Sequence, residues 1–223
     1  MSTRSARPTC ARPPSGTPPT PALPAGFTLI DSTVVAQGGF EGDFRVAWKR
    51  AAGESGSYTV THASAATQGV INVYSNCIAT GSPIDVYSKD FETDPTSDGA
   101  TATAGSVTTT IPDTKLLFVG HNWTNSGALS PPTGFTERFD GLIYTADKAQ
   151  AAAGATGAVS HGTGNASNHP WAAFLIALKE LPSVLSGAKV WDGSAWVEKP
   201  VKVWDGSAWV QKPAKTWDGS AWT

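Results

Sequence analysis

The sequence predicts an all-β protein organised on an antiparallel, jelly-roll-like β-sandwich, and three observations carry that prediction. From Gly26 onward, short alternating apolar and polar segments are separated every ~8–12 residues by Gly, Ser, Asn, Asp or Pro, as in sandwiches and barrels. Only 15% of the 223 residues are charged, and Gly, Ser, Thr and Ala dominate, unlike a cytosolic helical enzyme. The third observation is a 13-residue repeat that closes the chain, each unit built around an Asp-Gly pair of the kind that turns a hairpin. Together they divide the chain into a Pro-rich arm over 1–25, a β-sandwich domain over 26–188 and hairpin repeats over 189–223.

The arm carries Pro8, Pro13, Pro14, Pro18, Pro19, Pro21 and Pro24 among Ser, Thr, Ala and Arg, a stiff polyproline-like stretch that cannot fold alone. Arg4, Arg7 and Arg12, with no acid between them, give it a local charge of +3. The arm is therefore expected to serve as an N-terminal anchor on an acidic protein neighbour, the plainer alternative being a linker.

Within the sandwich, strands are expected at 27–32, 44–49, 58–62, 70–74, 84–87, 106–111, 115–121, 135–140, 158–161 and 171–178. Phe44, Val46 and Trp48 should share one face of their strand, and Tyr58 and Val60 should point inward. Residues 171–178 are continuously apolar, which places that strand at the centre of its sheet or between two layers. The stretch 88–105, with Asp90, Glu92, Asp94, Asp98 and Gly99, reads as a mobile connection, and 122–134 as a loop at one end of the sandwich. For 146–155 the expectation is one helical turn or, given its glycines, a loop.

The repeats begin Lys-Val-Trp-Asp-Gly-Ser-Ala-Trp-Val at Lys189, recur from Lys202 and return as Lys-Thr-Trp-Asp-Gly-Ser-Ala-Trp from Lys215. Six of the nine tryptophans lie here, as Trp191 and Trp196, Trp204 and Trp209, Trp217 and Trp222. With Asp192 and Gly193 as a type I′ loop, Trp191 would face Ser194 and Lys189 would face Trp196, leaving the two indoles diagonal on one side and Val190, Ala195 and Val197 on the other. Lys199-Pro200 and Lys212-Pro213 separate the units, because proline cannot donate to a ladder. A two-stranded hairpin is marginal alone, and each indole brings about 150–250 Å² to cover. Three readings compete. The units stack on each other or on other subunits, they form an adhesive tip for sugars or other ligands, or they have a designed, tag-like origin. The tryptophans and Lys189, Lys202 and Lys215 are the candidate binding or assembly residues.

Candidate chemistry elsewhere is sparse. The acidic loop offers oxygen atoms to calcium without the alternate spacing of an EF-hand, so a solvated loop is expected. Glycoside hydrolysis needs two carboxylates ~5–9.5 Å apart, and only Asp85, Asp90, Glu137 and Asp140 could be nominated, with no pattern that joins them. His121, His161 and His169 lack the short paired spacing of a zinc site. No nucleophile elbow, phosphate loop or dinucleotide fingerprint occurs, so the expectation is a non-enzyme with no cofactor and no metal. Asn122-Trp123-Thr124 and Asn165-Ala166-Ser167 match the glycosylation pattern, which matters only on a secretory route.

The net charge of −2 is spread as +3 in the arm, −6 over 26–188 and +1 in the repeats, without the clustered basic face of a nucleic-acid binder. Two cysteines, Cys10 in the arm and Cys77 in an expected strand, make a disulfide scaffold unexpected. Neither a signal-peptide core nor a run of about 18 apolar residues is present, so no membrane span is expected.

Pro-Ala-Gly-Phe-Thr-Leu-Ile at 24–30, Phe-Arg-Val-Ala-Trp-Lys-Arg at 44–50, Tyr-Thr-Val-Thr at 58–61 and Pro-Pro-Thr-Gly-Phe at 131–135 resemble a β-sandwich domain of tail and fibre proteins of tailed bacteriophages. The Val-Trp-Asp-Gly-Ser-Ala-Trp-Val units are similar to the ends of minor tail proteins of phages that infect actinobacteria. The resemblance covers most of the chain beyond residue 24 and transfers no functional residue. It implies a non-enzymatic virion component of tail, fibre or minor tail type, assembled in the host cytoplasm and docked on other virion proteins. Such a component would be a homo-oligomer, with a homotrimer favoured, and would contact the host surface in some cases. Capsid decoration or head fibre, and a glycan-binding module that uses exposed tryptophans, are the alternatives.

Overall fold

The run Trp171–Lys179, apolar up to its terminal lysine, has no face to offer to water, and the chain buries both. The computed structural model describes residues 20–37, 40–61, 68–92, 101–121, 130–163, 171–181 and 189–212, with backbone only at 35–37, 40, 41, 189 and 198. Arg4, Arg7, Arg12, Lys215, Trp217 and Trp222 lie outside the described residues, as do His169 and both glycosylation patterns. Among the described residues the structure is all-β, with no helix.

Strands are numbered along the chain. β3 (Ile84–Glu92), β6 (Thr114–His121), β7 (Thr136–Phe139), β8 (Ile143–Gln150) and β11 (Trp171–Lys179) form one antiparallel sheet in the order β3-β11-β6-β8-β7. Period-two alternation sends successive side chains of its central strands to opposite faces. Ala173, Leu175 and Ala177 of β11 join Leu116 and Phe118 of β6 and Tyr144 and Ala146 of β8 in one cluster. That face is covered by β4 (Thr101–Ala104), paired with β10 (Val159–Gly162), which add Ala102, Ala104 and Val159, while Val107 and Phe135 complete the cluster.

On the opposite face Ala172, Phe174, Ile176 and Leu178 meet Leu117 and Val119. Their cover is the antiparallel ribbon of β1 (Thr28–Gln37) and β2 (Phe40–Trp48), whose Phe44, Val46 and Ile30 pack inward together with Tyr74. Phe118 and Phe174 are fully buried, each worth about 1.5–3 kcal/mol over an exposed ring. The sheet expected from 171–178 is thus the shared middle layer of a β structure filled on both sides. β5 (Thr108–Thr109) and β9 (Gly154–Ala155) make a further short pair.

Several local expectations are corrected. Of the strand expected at 58–62, the described residues 58–61 form only a single bridge, Ala22 to Thr61, and Tyr58 and Val60 are exposed rather than inward. Tyr58 turns outward because its hydroxyl donates to Glu54 and its ring meets Phe27 edge-on at 5.1 Å. Residues 70–74 run extended without a ladder partner, held instead by side chains. Of the connection expected at 88–105, the described residues are strand at 88–92 and 101–104. β3 continues to Glu92 and β4 begins at Thr101, tied by the Gly105 N–H donating to Asp90 at 2.6 Å. Asp94, Asp98 and Gly99 lie outside the described residues. The expected 106–111 strand shrinks to Thr108–Thr109, and Cys77 makes only an isolated bridge, to Glu180. The helical turn or loop expected at 146–155 is the body of β8 followed by β9, its Ala, Lys and Gln being helix formers overridden by burial between neighbouring strands.

Candidate functional site

The four described repeat tryptophans sit on two near-identical hairpins. The first pairs β12 (Lys189–Trp191) with β13 (Trp196–Glu198), the second β14 (Lys202–Trp204) with β15 (Trp209–Gln211). The register differs from the expected one by two residues along the partner strand, the loop moving on by one. Trp191 lies directly opposite Trp196, Val190 opposite Val197, and Lys189 opposite Glu198. The loop is therefore Gly193-Ser194, not Asp192-Gly193.

The cause is the aspartate. A type I′ turn needs positive φ at both centres, but only Gly193 (106°) and Gly206 (105°) adopt it in the hairpins. Asp192 instead turns its carboxylate back over the loop, where Oδ1 accepts the N–H groups of Ser194 at 2.8 Å and Ala195 at 2.9 Å and the Ser194 hydroxyl at 2.9 Å. The Asp192 N–H closes the loop by donating to the Ala195 carbonyl at 3.1 Å. Asp205 makes the same set with Ser207 and Ala208. These N–H donors hold both carboxyls below the usual aspartate range. Short polar side chains that bond their own backbone two residues on are a general turn device.

The new register turns diagonal indoles into directly opposed pairs. Trp191 and Trp196 meet at 5.9 Å and 61°, Trp204 and Trp209 at 5.8 Å and 60°, both edge-on. Such a pair is worth about 0.5–1.5 kcal/mol beyond its area. Within one chain the indoles stay open: Trp191 is 52% exposed, Trp196 66%, Trp204 51% and Trp209 65%. Val190 and Val203, on the other face, are exposed as well. Lys202 is exposed opposite Gln211.

The nominated carboxylates fall into two groups that do not meet across the sheet. Asp85 and Asp90 are on β3 and Glu137 and Asp140 on or beside β7, the two edges of the five-stranded sheet, four strand spacings or roughly 19 Å apart. Asp85 is engaged by the Thr110 N–H and hydroxyl, and Asp90 by Gly105. The histidines are separated by the sheet itself: His121 lies against Phe44 on one face, while His161 stacks on Tyr144 at 3.6 Å on the other. Burial lowers both to about 4, against a smaller opposing effect of Asp140 on His161. Among the described residues no group of three or more His, Cys, Asp or Glu side chains could hold a metal ion, and no helix is long and apolar enough to cross a membrane.

One polar constellation went unread in the sequence. Arg138 of β7 donates through Nε and Nη2 to Asp147 of β8 at 2.7 and 2.8 Å, and the Tyr74 hydroxyl donates to the same carboxylate at 3.0 Å. Burial alone would raise the Asp147 carboxyl, but these bonds and the nearby charge of Lys115 outweigh it and hold it below the usual range. Tyr74 is pushed upward by burial and by that carboxylate. Comparison of the chain with known protein families, with curated proteins and with solved structures finds no match.

Proposed function

We propose that the chain is a non-enzymatic structural component of a bacteriophage virion, of tail, fibre or minor tail type, and that its C-terminal hairpins are the element through which it assembles. The observation that carries this reading is the duplication of one geometry at an interval of 13 residues, two edge-on indole pairs each about half or more exposed. Exposed aromatic pairs of this size are hot-spot material, since Trp dominates interface energetics once desolvated. A hairpin of three-residue strands is too short to stand alone and gains most from a neighbour. The segments that resemble phage tail proteins support the same reading, residues 24–30 leading into β1 and 44–50 spanning most of β2. The partner is a second copy of this chain, a closed homotrimer being favoured, together with other virion proteins. The arm with Arg4, Arg7 and Arg12 supplies the N-terminal anchor.

A second reading is favoured by the exposure itself: tryptophans open to solvent in every described repeat are also platforms for host-surface sugars. The mass of the intact chain by light scattering at micromolar concentration, alongside Trp191→Ala/Trp204→Ala, separates the two. An oligomer that the double variant dissolves supports assembly. A monomer whose variant keeps its fold and loses binding to host cells overturns assembly and leaves the adhesive reading.

A further inference from the structure

The sheet face covered by the β1–β2 ribbon also carries a cleft of about 620 Å³ that the hairpins do not touch. Its walls include Lys115 of β6, Arg138 and Asp147 from neighbouring strands, Glu180 just beyond β11, and the segment from Ile71 to Asn76. That size is in the range of small-molecule sites. The geometry points to a neutral polyhydroxylated ligand, one saccharide unit of a larger glycan, as its occupant.

Charge balance excludes the simpler choices. Two cations face two carboxylates, Arg138 in a fork on Asp147 and Lys115 at 3.8 Å from Glu180. An anion would therefore find no uncompensated positive charge. An apolar ligand would bury these ions without replacing their water, which costs several kcal/mol per group. A hydroxyl fits, because it both accepts and donates. The Lys115–Glu180 separation is too long for a direct hydrogen bond, and a ligand hydroxyl seated there accepts from the ammonium and donates to the carboxylate. Arg138 spends only two of its five N–H donors on Asp147 and is about half exposed, so a further hydroxyl has a donor.

The site is also held in place. Asp147 is locked by Arg138 and Tyr74, and the 68–74 segment is pinned along β8, where the Ile143 N–H donates to Gln68 Oε1 at 2.7 Å and the Thr145 hydroxyl donates to Asn72 Oδ1 at 3.3 Å. Ordering costs on binding are correspondingly small. The same segment turns Ile71 and Val73 outward, 60% and 83% exposed at the rim. A sugar ring needs that second surface, since its hydroxyl edge is polar and its C–H face is not.

The test is an amide chemical-shift titration of the intact chain with glucose, galactose, mannose and N-acetylglucosamine, as monomers and β-linked oligomers, into the tens of millimolar, with inorganic phosphate as a separate arm. Saturable shifts at 71–76, 115, 138 and 147 with at least one saccharide are expected. Lys115→Met, which leaves the buried Asp147 pair intact, should weaken them about tenfold, one charged hydrogen bond's worth, at unchanged melting temperature. Glu180→Gln should act in the same direction. Trp191→Ala/Trp204→Ala should leave this titration unaltered, so it stands whether or not the hairpins assemble. Shifts with phosphate alone, no saturable shift with any saccharide, or saccharide shifts confined to the indoles would overturn the proposal.

Discussion

The central sheet and the C-terminal hairpins are both antiparallel and both rich in large apolar side chains, yet they treat those side chains in opposite ways. β11 and β6 each present alternate residues to two different layers of the same chain, and Phe118, Phe174, Leu116 and Leu175 are fully buried as a result. The hairpins concentrate four indoles in 24 residues and cover none of them by half within the chain. A strand inside a sheet borrows cover from both neighbours, whereas a three-residue strand in a two-stranded unit has one partner and two open faces. The difference separates stability, which resides in the sheet, from recognition, which the hairpins are free to serve.

That division is broken most directly by removing one large ring from each region. Phe174→Ala should cost about 3–5 kcal/mol in urea unfolding, because the site is walled by strands that cannot collapse onto the void. Trp196→Ala, the most exposed of the four, should move the same midpoint by less than about 0.5 kcal/mol at protein concentrations where the chain is monomeric. Equal losses would mean that the hairpins pack into the domain in solution and that the division is false.

Protonation probes the sheet side next. His161 is 2% exposed, stacked on Tyr144 and set against Phe118, and burial pushes its folded pKa to about 4, below the ordinary imidazole value of 6.5. The unfolded chain therefore binds more protons between those values. The stabilisation is complete above about pH 6.5 and is lost as pH falls towards 4, by roughly 2–3 kcal/mol. Urea midpoints at pH 7 and pH 4.5 should differ by that amount and by a comparable contribution from buried His121, also held at about 4, and His161→Phe should remove only its own share of the difference. A pH profile identical in the variant would remove His161 from the account.

The polar floor of the cleft gives a smaller effect. Arg138→Ala leaves Asp147 buried with only Tyr74 as a direct partner, and the loss should be about 2 kcal/mol at pH 7. Arg138→Ala/Asp147→Leu should recover part of it, since a buried ion pair is often replaceable by apolar packing. A double variant less stable than the single one would show that Asp147 is needed for more than its arginine.

What the sequence made legible follows the same divide. The all-β class, the central position of 171–178, the strand at 115–121 and the hairpin nature of the repeats were readable because period-two alternation and Asp-Gly pairs are local signals. β8 was not, because Asp147 and Lys148 in Tyr-Thr-Ala-Asp-Lys-Ala-Gln hide an inward-facing strand whose charge is matched by Arg138, nine residues away on another strand, and by Tyr74 from 73 residues upstream. The cleft was invisible for that reason: its residues lie between positions 71 and 180, and only the strand order joins them. The hairpin register was missed by two residues because backbone preference was weighed and the Asp192 carboxylate was not.

That register yields the smallest and most local effect. Asp192 Oδ1 accepts three hydrogen bonds at full solvent exposure, so Asp192→Ala should loosen the first hairpin, as loss of a turn cap does. Gly193→Ala should loosen it for a different reason: its φ of 106° is strained for any residue with a Cβ, although nothing lies within 4 Å to collide. Neither should shift the global urea midpoint, because the core shares no strand with the hairpin. The readout is the indole exciton couplet in circular dichroism, which depends on the edge-on contact of Trp191 with Trp196. Each first-hairpin variant should lose the share of one indole pair, the second hairpin retaining its own, and Asp192→Ala/Asp205→Ala should lose the share of both described hairpins. A couplet undiminished in the double variant would mean that the strands alone hold the indoles together and that the aspartate loop does not set the register.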